Sequence, residues 1–419
     1  MTFLRETGGV LLRAPVLAVF ALTLMLSACG ETGPAGPPAD PTAAALKQCQ
    51  GPDLEKERDC FTALFDARLA REGPAPVLAL LDRLAALDAD VRRDGHHYAH
   101  RIGIAALKSP AEVTRVFATC TPAHQSGCYH GVIQSYFMAM ERTGGGVTAA
   151  SVDGLCADYR GTRADLLFQC THGLGHGLTI LERHDLPEGL TGCDLLSREP
   201  EREMCYAGAF MESVVNATHP GHSVAPAAAA GHGGHGGHGG HHAAAAAKPA
   251  FKALDAGDLH YPCSTVAEKY LIACYTIQTS AMLHHTRNDV APVAAECKRA
   301  PAKARPTCFL SLGRDVSTMA AGSTTEAIRL CALADAAFRP MCHRGVVEAY
   351  VNMNANPAEG IPYCKAVPEA DGKRLCYATV GNQAMVLPDG AAKRAQACAA
   401  AEAGFGDVCL GRPAAAASA

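Results

Sequence analysis

The sequence predicts an all-α fold, an α-solenoid of about ten helical-hairpin repeats of roughly 34–37 residues, nine of them with local disulfides. Three observations carry the prediction. The cysteines fall into close pairs, the pairs recur at near-constant spacing, and the segments between them are rich in Ala and Leu, with 5% aromatic residues and no Trp. The net charge of -4 has its signs scattered, so no basic stripe is present to neutralise phosphates and a nucleic-acid partner is not expected.

The chain opens with Arg5 and Arg13 around the start of an apolar run from Ala14 to Leu26, which ends in Leu26, Ser27, Ala28 and Cys29. That run is too short to span a bilayer, since a membrane helix needs about 20 apolar residues, and it suits a cleaved signal segment. It resembles the bacterial lipoprotein signal with its lipobox. The resemblance implies that residues 1–28 are removed, that Cys29 is lipidated, and that the protein is exported and anchored to a membrane. Gly30 in place of Asp after the cysteine implies an outer-membrane location facing the periplasm. Residues 29–45, Pro/Gly-rich from Gly30 to Pro41, read as a flexible tether.

Setting Cys29 aside leaves nine successive cysteine pairs: Cys49 with Cys60, Cys120 with Cys128, Cys156 with Cys170, Cys193 with Cys205, Cys263 with Cys274, Cys297 with Cys308, Cys331 with Cys342, Cys364 with Cys376, and Cys398 with Cys409. An even count in an exported chain reads as disulfides, and the short loops favour neighbour pairing. No CxxC is present, which removes the thioredoxin-like motif and the CxxCH haem site.

The first cysteines of the later pairs, Cys263 to Cys398, are 34, 34, 33 and 34 residues apart, and Cys120, Cys156 and Cys193 are 36 and 37 apart. Two gaps are about twice as long. The gap from Cys49 to Cys120 holds a helical pattern from Val77 to Leu107 and reads as a repeat without a staple. The gap from Cys193 to Cys263 holds the low-complexity tract Gly231 to His242 and reads as a loop insertion. The organisation expected is N-terminal repeats over 46–218, an insertion over 219–250, C-terminal repeats over 251–411 and a disordered tail over 412–419.

Each repeat reads as two helices. Ser109, Pro110 and Glu112 form the pattern of a capping box ahead of Val113, Val116 and Phe117, and Ser323 with Glu326 repeats it. The second cysteine opens a more apolar helix, as in Cys128 to Met140, Cys205 to Val215 and Cys342 to Val351. Gly131, Gly173, Gly208 and Gly345 stand three residues after that cysteine, which predicts close approach of a neighbouring helix. This architecture resembles the Sel1-like and tetratricopeptide class, above all the secreted cysteine-rich Sel1-like proteins with disulfide-bridged hairpins. The resemblance covers about residues 49 to 410 and implies protein or peptide binding on a concave face.

The histidines set the chain apart from a plain scaffold. His130 in Cys128-Tyr-His-Gly and His172 in Cys170-Thr-His-Gly occupy one repeat position, with His97 of the unstapled repeat roughly in register. His96 with His100 and His172 with His176 are i, i+4 pairs, each able to chelate one ion from a single helix face. The matching positions of other repeats hold Ala207, Thr276, Leu310, Arg344 and Ala378, so the candidate metal site is His96, His97, His100, His130, His172 and His176, with Glu141 and Glu182 as candidate carboxylates. Imidazole ligands suit zinc, copper, nickel or iron. His219, His222, His232, His235, His238, His241 and His242 would bind metal loosely. His284, His285 and His343 read as structural, and Met138, Met140 and Met211 as core.

HExxH, GxSxG, GxxxxGK[ST] and GxGxxG are all missing, so no common catalytic class is indicated. The function expected is a membrane-anchored, extracytoplasmic metal-binding protein for sequestration or delivery of a transition metal. A repeat scaffold binding envelope proteins, or a metalloenzyme using the same histidines, are the alternatives.

Overall fold

In the computed structural model, residues 40–142, 146–218 and 251–412 are described. Cys29, the tract histidines and the tail beyond residue 412 therefore lie outside the described residues. Helices fill the chain from Pro41 onward and no strand occurs among the described residues. The first helix, Pro41–Cys49, begins inside the stretch expected to be tether, because Ala45 and Cys49 are buried against the helix that follows.

All nine expected disulfides are present, from Cys49 with Cys60 through Cys297 with Cys308 and Cys364 with Cys376 to Cys398 with Cys409. Except in unit six, each joins the end of one helix to the next helix of the same unit, and all nine span Cα separations of 5.4 to 5.8 Å. The ten units have as their second helices Leu54–Glu72, Gly95–Ala106, Gly127–Arg142, Ala164–Leu181, Glu199–Thr218, Gln278–Thr286, Arg305–Met319, Arg339–Asn354, Ala370–Met385 and Gly406–Cys409. The second helices stack on one another in chain order and hold the core. Unit two has Tyr98 where its neighbours have the second cysteine, and packs that ring edge-on against Phe61 and Phe65 in place of a staple. Unit six departs from the plan: turns, not a helix, precede Cys263, and Cys274 sits in a short helix, Leu271–Tyr275, ahead of Gln278–Thr286.

Three local expectations change. Ser109 makes no side-chain cap, and residues Pro110–Glu112 form a 3-10 turn before the helix Val113–Phe117. Ser323 does cap its helix by accepting from the Glu326 N–H, but the Glu326 carboxylate turns to Arg329 and does not close the box. The second cysteine does not, as a rule, open its helix. Cys60, Cys170, Cys205 and Cys376 lie six residues inside Leu54–Glu72, Ala164–Leu181, Glu199–Thr218 and Ala370–Met385, and Cys308 and Cys342 lie three residues inside theirs. The starts are set by signals ahead of the cysteine: Asp53 caps the first of these helices, and Pro306 and Pro340 stand in the first turns of two others. The staple therefore enters the side of the helix and not its first residue.

The glycines place the helices. A Cβ at Gly131 would lie 2.0 Å from the His100 carbonyl oxygen, and one at Gly103 would lie 2.2 Å from that of Cys128. Gly175 and Gly208 cross in the same way on Cys205 and His172, as do Gly313 and Gly345 on Cys342 and Leu310. These distances leave no room for a side chain, so the backbones touch through Cα–H and carbonyl oxygen. Gly173 is different, since its nearest neighbour is the Ile133 side chain at 3.1 Å. Close crossings thus alternate: units two, four, seven and nine contribute a glycine five residues after the cysteine place (Gly103, Gly175, Gly313, Gly381), and units three, five and eight one three residues after it (Gly131, Gly208, Gly345). With units one and six standing before such pairs, residues 41–218 and 251–412 follow one five-unit plan, from which unit ten departs with Arg412 at the third place and a second helix of four residues.

The array curls back on itself. The unit-eight helix Arg339–Asn354 touches the turn His124–Ser126, and Asn354 and Glu359 line a crevice of about 380 Å³ with Asp82, Arg92 and His124.

Candidate metal centre

The seam where the second helices of units two to five meet carries the histidines. His100, His130 and His172 each stand two residues after the cysteine place of their unit, so successive helices present them to one line. His96 precedes His100 by one turn and His176 follows His172 by one turn. Ring centroids are 6.1 Å apart for His96 and His100, 5.5 Å for His96 and His130, 5.5 Å for His130 and His172, 4.3 Å for His130 and His176, and 5.0 Å for His172 and His176. Ligand atoms of His130, His172 and His176 all lie within 4.8 Å of one another.

His97 is not brought to this group. Successive residues of a helix point about 100° apart, and His97 lies against Tyr98 with Arg58 and Arg101 as its charged neighbours. The glycine crossings show that His100 is the residue in register with His130 and His172. Glu141 is exposed at the end of its helix, and Glu182 caps the helix Ala164–Leu181. The carboxylate at the cluster is Glu212 instead, buried on unit five. The described Met residues 140 and 211 pack against the core, and His343 is buried on the Tyr363 hydroxyl at 2.6 Å, as structural residues do.

The bonds around the rings fix their tautomers. His176 Nδ1 donates to Glu212 Oε2 over 2.9 Å, which leaves its Nε2 as a lone pair aimed at His172 Nε2, 3.3 Å away. His96 Nδ1 donates to the His124 carbonyl over 3.0 Å. A carboxylate or carbonyl on the outer nitrogen is the arrangement that orients a metal-ligating imidazole and raises its basicity. The His124 carbonyl is held in place by a strained turn, with φ of 52°, 52° and 63° at His124, Gln125 and Ser126, and by the His124 ring, whose Nε2 lies 2.8 Å from Asp82 Oδ1. His184 Nδ1 lies 3.7 Å from the other oxygen of Glu212.

His130 is the centre of the group and differs from the rest. It is 5% exposed, and neither of its ring nitrogens meets a hydrogen-bond partner in the protein. A buried polar atom left so costs roughly 1–3 kcal/mol. Burial holds the rings of His96, His172 and His176 neutral: His96 is lowered to about 4 and His172 and His176 to about 3. His130 is lowered well below the ordinary value, first by burial and then by repulsion from the four neighbouring imidazoles. Neutral imidazoles are the form that binds metals.

Tetrahedral zinc with bonds of about 2 Å sets ligand nitrogens about 3.3 Å apart, which is the separation observed between His172 and His176. A second convergence, of Glu57, Asp88 and Asp90, has a structural account: Glu57 accepts from Gly51 N–H, and Asp88 caps the helix Ala89–Arg93.

Glu212, His184 and His124 were not found by sequence reasoning. They come from other units or from loops and share no position with the repeated histidines. The signal for the correct register was present in Gly103, Gly175, Gly313 and Gly381. No protein-family model matches the chain, and neither the curated proteins nor the solved structures contain a significant match. Fold and site together therefore define only a class, a disulfide-stapled array of helical hairpins with a buried histidine cluster in its N-terminal half. Nine disulfides are the chemistry of an oxidising compartment, and among the described residues no helix is long and apolar enough to cross a membrane.

Proposed function

We propose that this protein binds a divalent transition metal outside the cytoplasm, at His130, His172 and His176, for sequestration or delivery. The observation that carries this is His130: a fully buried imidazole with both nitrogens unpartnered, beside two imidazoles already at ligand separation. Glu212 supports the site by holding His176 in the required tautomer and by offsetting part of the buried charge. All cysteines among the described residues are in disulfides, so the donor set is nitrogen, which favours zinc, nickel, copper(II) or iron over copper(I). Export and a lipid anchor at Cys29, with an outer-membrane location facing the periplasm, belong to the same reading. The tract histidines, from His219 to His242, would collect the ion near that surface.

The test is ligand-linked stability. Zinc at a hundred times its dissociation constant should stabilise the folded chain by about 2.7 kcal/mol, seen as a raised melting temperature. His130→Asn should abolish that rise; a rise that persists in His130→Asn removes the site.

A further inference from the structure

The helix Ala164–Leu181, which carries His172 and His176, is pressed against its neighbours on both sides. A Cβ at Gly175 would lie 1.9 Å from the Cys205 carbonyl oxygen, one at Gly208 2.0 Å from that of His172, and one at Gly177 2.6 Å from the Phe137 ring. His130, His176 and Glu212 are all buried. His172 is the one ligand of the three that is only half-buried. Beside it stands Phe168, one turn earlier on the same helix, with the two rings stacked at a centroid distance of 5.9 Å and an interplanar angle of 9°. Phe168 is itself 45% exposed.

We infer that the ion enters and leaves past His172, and that Phe168 is the gate that sets how fast it does so.

This rests on the metal-binding reading above and concerns the exchange of that same ion. The repeat does not call for an aromatic ring here. Two residues before the cysteine place, other units carry Arg58, Ser126, Glu203, Pro306, Pro340 and Arg374. Unit six has another large apolar side chain there, Ile272, but the residue one turn later is Thr276 and not a histidine. Folding gains little from a ring left half in solvent, whereas a ring lying on a ligand changes what can reach the ion. In the stacked rotamer Phe168 covers a face of His172 and hinders water and donor groups on their way to the ion; in the rotated one the approach is clear. Stacking favours the closed rotamer about 2- to 12-fold, and exposed side chains change rotamer in picoseconds to nanoseconds, so the gate is always at equilibrium while an ion is exchanged. Removing the ring then speeds uptake and release by one common factor. A gate alters the barrier and not the two states it separates, so the dissociation constant stays as it was. In a protein that delivers its metal, such a residue sets how long the ion is held without weakening the site.

The probe is cobalt(II), whose visible absorption reports its ligands, added to the full chain carrying His232→Asn, His235→Asn, His238→Asn, His241→Asn and His242→Asn, so that loosely held tract ions do not count. Stopped-flow absorption gives uptake, and release is read in excess EDTA, at concentrations where the rate no longer depends on EDTA. Phe168→Ala in that background should bind the same single ion, with both rates raised about 2- to 12-fold and by the same factor. Ile272→Ala, the matching change in unit six, should alter neither rate. Uptake that is no faster in Phe168→Ala would overturn the gate whether or not release quickens, because a ring that merely holds His172 in place changes release and affinity alone; the three-histidine site would still stand. An equal rise in Ile272→Ala would overturn the gate as well. A parent chain that takes up no cobalt or other divalent ion would overturn both the gate and the site.

Discussion

The two halves of the molecule, residues 41–218 and 251–412, share one scaffold and differ in what fills its seam. At the place of His100 the second half has Leu310, at that of His130 it has Arg344, and at those of His172 and His176 it has Ala378 and Asn382. Arg344 leaves the seam for Glu348, 2.7 Å away. The second half keeps its staples and its glycine crossings, Gly313 with Gly345, without imidazole in the seam. Buried imidazole is therefore not something the fold demands. Burial and its four imidazole neighbours depress the basicity of His130 and leave it without a hydrogen-bond partner, a cost that folding alone does not recover. The difference between the halves is what supports the proposal that the histidines serve binding rather than packing.

The largest effect expected from breaking this contrast is on metal content. His176→Ala should abolish tight zinc binding, whereas Asn382→Ala at the matching place should leave it intact; equilibrium dialysis of the two variants decides. Equal loss in both would show that the seam histidines have no special standing.

Acid should separate the halves next. In the metal-free protein the folded values of His96, His172 and His176 lie below the ordinary 6.5, so the unfolded chain takes up protons first. Stability of the first half is then complete above about pH 6.5 and is lost as pH falls toward about 4 for His96 and about 3 for the other two. His96 alone is worth roughly 3 kcal/mol over that window. Hydrogen exchange should speed up between pH 6.5 and 4.5 in residues 127–142 and 164–181, after correction for intrinsic rates, and much less in 305–319 and 339–354.

A third pair of variants should treat the halves alike. Gly131→Ala and Gly345→Ala each force a Cβ to 2.0 Å from a carbonyl oxygen, so each should cost about 1–3 kcal/mol by thermal melting. A large inequality would mean that the two crossings are not equivalent and that the five-unit plan is not repeated.

The smallest contrast is at the caps. Ser323→Ala removes a hydrogen bond to the Glu326 N–H and should cost about 1 kcal/mol, while Ser109→Ala, whose side chain caps nothing, should be close to neutral. Denaturant midpoints of the two variants measure it.

Much of this was legible in the sequence for a physical reason. A covalent staple in each unit marks the repeat directly, so Cys263 to Cys409 gave both the period and the pairing. The staple does not mark where a helix starts, which is why Cys60, Cys308 and Cys376 lie inside helices that a cap or a proline begins earlier. Unit two has no cysteine, and without that mark His97 was placed in register when His100 holds the position. Gly103 carries the register, but its crossing uses the fifth residue after the cysteine place, whereas the glycines that repeat visibly in the sequence stand at the third. Ser109 looked like a cap because its pattern is right; the 3-10 turn that follows takes its N–H groups elsewhere. Glu212, His184 and the strained turn at His124 belong to no pattern, because their roles come from contacts between units 28 to 36 residues apart.

The histidine seam of the first half is expected to hold metal. Elemental analysis of the full chain, purified with its disulfides formed and with His232, His235, His238, His241 and His242 each changed to Asn, tests it most directly. The expected result is a stoichiometric transition metal that disappears when His172→Ala and His176→Ala are added. A folded protein without metal, before and after exposure to zinc, nickel and copper(II), would contradict it.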